Sequence, residues 1–142
     1  MADGTEPIDP DEIIYRRVPI GSVYKPNRNP ALSQKAFSPR NCDSDGVSVI
    51  RAKFLNGPRD AAAEGCLGME FYVIEFRAGD LQGAGATIMP DPELDCVGHA
   101  LVTNINAANR DLSETQSLMQ RCRNLTYRAH GPFPGNKPMR LA

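Results

Sequence analysis

Met69-Glu70-Phe71-Tyr72-Val73-Ile74-Glu75-Phe76-Arg77 (MEFYVIEFR) is the clearest strand in the chain. Aromatic and β-branched residues dominate it, and these suit a pleated surface packed on its faces. Alternation puts Phe71, Val73, Glu75 and Arg77 on one face and Glu70, Tyr72, Ile74 and Phe76 on the other. Apolar side chains on both faces predict a central strand, covered on two sides.

Upstream, Ile13-Ile14-Tyr15-Arg16-Arg17-Val18 reads as a strand that Pro19 stops. Residues 19–46 are dense in Pro, Gly, Asn and Asp, which predicts an irregular segment with one short element at Ala31 to Phe37. Asp45-Gly46 turns the chain into a strand from Val47 to Leu55. Arg59 to Glu64 suits a short helix closed by Gly65. Downstream, Ala78 to Gly85 reads as a flexible connection, Ala86 to Met89 as a short strand and Pro90 to Asp95 as a rigid acidic loop. Gly98 to Ile105 (GHALVTNI) is a further buried strand. Asp111 and Glu114 have capping-box spacing before a stripe of Leu112, Thr115, Met119, Cys122 and Leu125, which predicts a helix through Arg123.

The chain has 142 residues with 12 Gly and 12 Pro, enough for one loop-rich domain and too short for two cores. The reading is a flexible acidic leader over 1–11, a single domain over 12–130 and an extended tail over 131–142. Its fold class is α+β: a mixed or antiparallel sheet of about five strands with a C-terminal helix on one face. No run approaches the roughly 18 apolar residues of a membrane span, so no membrane partner is expected. Cys42, Cys66, Cys96 and Cys122 form no CxxC pair, and the opening residues do not read as a signal peptide, with no basic n-region before an apolar stretch. Reduced thiols and a cytoplasmic location are the expectation.

The net charge of −1 conceals segregation. Residues 12–59 carry nine bases against three acids, and residues 60–115 carry two bases against ten acids. The two segments can neutralise each other, or the basic half can present a face to an anion.

Tyr15, Arg16, Arg17, Arg40 and Arg51 are the candidate ligand-binding residues, because a guanidinium is a permanent planar fork for phosphate or carboxylate. Arg16 and Arg17 face opposite sides of a strand, so at most one of them points into a given pocket. Against this stands pairing of each with an acid of the middle segment. His99 and Ser48 are the candidate catalytic pair, with His99 moving a proton and Ser48 orienting a bound group. The competing reading of His99 is a core histidine with its hydrogen bonds satisfied. Asp91, Glu93 and Asp95 read as a solvated acidic loop, and no metal ligands are assigned. There is no GxxxxGK[ST], GxSxG or HExxH motif, and Gly79 to Gly85 (GDLQGAG) contains no GxGxxG.

Ile14-Tyr15-Arg16-Arg17-Val18, Ala36-Phe37-Ser38-Pro39, Gly46-Val47-Ser48-Val49 and Gly98-His99-Ala100-Leu101 resemble an ordered pattern in small bacterial proteins that carry no assigned activity. A more remote likeness is to ADP-ribosyltransferase-type folds. These place a basic residue on an early strand, a Ser or Tyr on the next and an acid later. The resemblance implies those parts for Arg16 or Arg17, for Ser48, and for Glu70 or Glu75.

Two functions follow as expectations. The first is a binding module that recognises an anionic ligand or an acidic protein partner through its basic N-terminal half. The second is a small effector- or toxin-like enzyme acting on a nucleotide or nucleic acid, by ADP-ribosyl or phosphodiester chemistry. It requires Arg16 or Arg17, Ser48 and His99 to line one pocket. No cofactor is implied. A nucleic-acid partner has little support from a 6% aromatic content without an RNP-like run.

Overall fold

A computed structural model describes residues 3–20, 37–39 and 43–138. The elements in chain order are β1 (Ile13–Pro19), β2 (Val47–Arg51), α1 (Pro58–Ala63), β3 (Glu70–Arg77), α2 (Ala78–Gly83), β4 (Ile88–Pro90), β5 (His99–Val102), α3 (Ser113–Asn124) and β6 (Arg128–Pro134). Among the described residues the strands form one six-stranded sheet in the order β4-β5-β2-β1-β3-β6. Every pairing in it is antiparallel. The fold is α+β, as the residue pattern predicts.

Both faces of the sheet are buried, which is why β3 is apolar on each side. On one face, Ile14, Val49, Ile74 and Phe76 pack under Leu81 of α2 and Leu118, Met119 and Cys122 of α3. On the other, Tyr15, Ile50, Phe71 and Val73 pack against Ala61 and Ala62 of α1 and against Cys96. Two small alanines let that short helix lie close to the sheet. No described helix is long and apolar enough to cross a membrane.

Several sequence expectations are corrected, the first being the strand from Val47 to Leu55, which ends at Arg51 and gives way to a 3-10 turn over Ala52–Phe54. Residues 78–83 are a helix, not a flexible connection. The Ala78 N–H donates to the Glu12 carbonyl at 2.9 Å and the Gly79 N–H to the Pro10 carbonyl at 2.8 Å, so distant chain satisfies donors that open the helix. Gly79 is needed there, since a Cβ would lie 2.9 Å from the Pro10 oxygen. Residues 131–134 are not a tail but belong to β6, paired along β3 from Glu70–Pro134 to Glu75–Arg128. The α3 helix begins at Ser113 with Leu112 as its cap and no side-chain capping bond, so the Asp111–Glu114 capping box does not form. The turn before it is held by Asn106, whose Oδ1 accepts from the Ala108 and Asn109 N–H groups.

The supposed leader is tied to the domain by Arg51, which is fully buried. Arg51 Nε and Nη2 donate to the two oxygens of Glu12 at 2.8 and 3.0 Å. Its Nη1 donates to the Glu6 carbonyl at 2.9 Å and its Nη2 to the Pro7 carbonyl at 3.2 Å. An unpaired guanidinium would be costly at this depth, and the acidic, proline-containing segment supplies the acceptors.

Candidate active site

Register builds the site. Tyr15 pairs with Ile50 across β1 and β2, and Ile50 pairs with His99 across β2 and β5. The three side chains therefore form one row on the α1 face of the sheet. Two residues further along their strands, Arg17 and Ser48 lie on that same face. Beyond β5, Pro90 of β4 pairs with Ala100, and the next residue, Asp91, donates its N–H to the His99 carbonyl at 2.9 Å. The neighbouring strands thus bring Asp91, just past β4, together with His99, Ser48 and Arg17 from three separate stretches of the sequence.

His99 is held at both ring nitrogens. Its Nε2 lies 3.1 Å from Ser48 Oγ. Its Nδ1 lies 3.0 Å from the Asp91 carbonyl oxygen and 3.0 Å from Asp91 Oδ2. A carbonyl can only accept, so Nδ1 carries the proton in neutral imidazole and Nε2 presents its lone pair to the serine hydroxyl. The imidazole is 13% exposed, and the Asp91 side chain is half exposed. A base shielded by the protein is thereby aimed at a hydroxyl, with a carboxylate behind it.

The strands β1 and β2 pair only at Ile14–Arg51 and Tyr15–Ile50, while the rest of β1 continues its pairing with β3 as far as Pro19–Phe71. Where the ladder stops, the Ser48 carbonyl accepts from Arg16 Nη1 at 3.0 Å, and Arg16 Nη2 reaches the Ser38 carbonyl at 3.1 Å. A guanidinium stands where strand hydrogen bonds would otherwise run. Beside this gap lies a cavity of about 190 Å³, lined by Tyr15, Arg16, Arg17, Ser48 and His99 and walled by the chain from Glu64 to Cys66, Met69 and Phe71. Arg17 sits over the Phe71 ring at 5.9 Å, and its Nη1 donates to the Ala61 carbonyl at 3.4 Å. Burial, with the charge of Glu75, raises the Tyr15 phenol above its ordinary value, so Tyr15 acts here as a neutral donor.

Five of the seven predicted site residues therefore meet at one cavity. Arg51 does not, because its donors serve Glu12 and the 4–7 segment on another part of the fold. Arg40 lies outside the described residues. Neither Glu70 nor Glu75 lines the cavity, and Glu75 Oε1 accepts from His130 at 2.8 Å. Sequence reasoning missed Asp91 as a partner of His99, and missed Glu64 and Cys66 in the wall. The acids of the 91–95 loop divide: Asp91 Oδ2 lies 3.0 Å and Glu93 Oε1 4.0 Å from His99 Nδ1, whereas Asp95 pairs with Lys137 at 2.9 Å. The pairing of Lys137 with both Glu64 and Asp95 links the cavity wall to the C-terminal residues.

Comparison with protein-family models, with curated proteins and with solved structures finds no match for this chain.

Proposed function

We propose that this protein is a small enzyme acting on an anionic molecule bound in the β1–β2 cavity. The observation that carries the reading is the His99–Ser48 contact in the wall of a cavity that Arg16 and Arg17 also line. A site that only binds an anion needs the arginine, but has no use for a shielded imidazole whose free lone pair faces a hydroxyl. In this reading Arg17 takes the charge of the ligand, Tyr15 donates to it, and His99 moves a proton to or from the reacting group through Ser48. Arg16 tethers β2 across the gap and adds its positive field.

The cavity is smaller than the roughly 300–1,000 Å³ of sites that enclose drug-sized ligands. It suits a phosphate- or carboxylate-bearing fragment, with the remainder of a larger substrate such as a nucleotide lying outside. Calorimetry at low salt with inorganic phosphate, a mononucleotide and a small dicarboxylate tests the binding part. The reading expects at least one anion to bind, with affinity reduced about tenfold or more in Arg17→Ala and little changed in His99→Gln. Binding by no anion, or binding that Arg17→Ala leaves intact, would overturn it.

A further inference from the structure

We infer that Ser48 is a covalent nucleophile, and that the substrate is a small carboxylic ester carrying a negative charge. The inference deepens the reading above and rests on it for the charge, but not for the covalent step. Its basis is the order Asp91–His99–Ser48, with contacts of 3.0 and 3.1 Å and a tautomer set by the Asp91 carbonyl. Serine is a poor nucleophile alone and becomes a good one when a base takes its proton during attack. Ser48 and His99 are held by strand register and Asp91 by its N–H bond to the His99 carbonyl just past β4, so the serine and base are positioned before a substrate arrives.

The steps balance without an external reagent beyond water. The Ser48 Oγ–H proton passes to His99 Nε2 as Oγ forms a bond to the ester carbonyl carbon. Charge develops on the carbonyl oxygen inside a cavity lined by two arginines. The ester C–O bond then breaks, and the alcohol leaves with the proton from His99. Water attacks the acyl-serine and gives its proton to His99, and the carboxylic acid departs as Ser48 recovers its hydrogen. Asp91 touches none of the reacting atoms. It is a positioning residue that holds the ring and supports its positive charge during the reaction.

A phosphodiester is the rival substrate on the same serine. The site favours a carbonyl because one hydroxyl and one base stand beside two lining arginines, of which Arg16 already donates to the Ser48 and Ser38 carbonyls, and this set matches acyl transfer. In-line phosphoryl transfer instead draws mainly on several cations gathered around the phosphorus.

The full chain is mixed with mono-4-nitrophenyl succinate, 4-nitrophenyl acetate and bis(4-nitrophenyl) phosphate, and the acylated protein is weighed and mapped by mass spectrometry. The expected result is a nitrophenolate burst of about one per chain from the succinate, a succinyl adduct on Ser48, and loss of both in Ser48→Ala. Ser48→Cys should keep the burst, which guards against Ser48→Ala simply failing to fold. Equal acylation of Ser48 by the neutral acetate would leave the nucleophile standing and overturn the anionic substrate. Anion binding by calorimetry without any Ser48 adduct would overturn the nucleophile and leave the binding reading intact. Turnover of the phosphodiester with none of the esters would overturn the substrate class.

Discussion

His99 and Ser48 are 51 positions apart in sequence, yet the imidazole Nε2 lies 3.1 Å from the serine Oγ. Sheet order explains the meeting. His99 stands opposite Ile50, so Ser48 is its diagonal neighbour on the adjacent strand, within reach of a long side chain. The same antiparallel packing sets Asp91 behind the ring. Function on this account belongs to a gap between two central strands, not to a loop or a helix end.

Asp91→Asn should lower kcat about tenfold while leaving KM near its wild-type value, because Asp91 supports the ring without touching substrate. The loss stays modest since the Asp91 main-chain carbonyl also holds the Nδ1 proton. Steady-state kinetics with the succinate ester checks this. A rise in KM at constant kcat would show that Asp91 shapes the binding site instead.

The Glu12–Arg51 pair makes a separate prediction about stability. Burial pushes the Glu12 carboxyl upward, but the hydrogen bonds from Arg51 and the Asp9 N–H, with the charges of Arg51 and Lys53, outweigh it and hold the group below its ordinary value of 4.5. A carboxyl lowered on folding stabilises the fold above its unfolded value and loses that contribution as pH falls through the folded one. Glu12→Gln should therefore cost about 3 kcal/mol at neutral pH, by removing the nearer carboxylate from a buried guanidinium and leaving it only Glu6, whose Oε2 lies 3.8 Å from Nη1. The gap between variant and wild type should close as pH drops below about 4.5. Urea denaturation across that range reads both, and a gap independent of pH would contradict the assignment.

Cysteine reactivity reports on the cavity. Burial pushes the Cys96 and Cys122 thiols up to about 11, while Cys66 is exposed and lines the cavity. Among these three, iodoacetamide should modify Cys66 at least about a hundredfold faster, since the thiolate is the reactive form and access is required. A saturating anionic ligand should slow that reaction. Peptide mapping over time checks it, and equal labelling of Cys96 would show that the packing around β5 is looser than described.

The strand that decides the fold was legible because its own residues carry the pattern: aromatic and β-branched side chains from Phe71 to Phe76 demand cover on both faces. The helix α2 was not, because Gly79 and Gly83 argue locally against it and the groups that stabilise its start, the Glu12 and Pro10 carbonyls, lie more than 60 positions away. The strand β6 hides behind Gly131-Pro132 for a similar reason, since only the open edge of β3 reveals its partner. Within the site, Ser48 and His99 were visible as residue types suited to proton transfer. Asp91 sat in an acidic loop that looked merely solvated until the β4–β5 pairing turned it toward the ring. Arg51 shows the opposite failure. A strand arginine looks the same in sequence whether it faces a ligand or a buried glutamate.

The most direct test is the protonation pattern of the His99 ring, read from long-range proton–nitrogen correlation spectra at about pH 8, with His99→Gln distinguishing it from His130. The account predicts a proton on Nδ1 and a bare Nε2 facing Ser48, unchanged in Ser48→Ala. A ring protonated at Nε2 would mean that His99 donates to the serine instead of accepting from it, and the site would have no base.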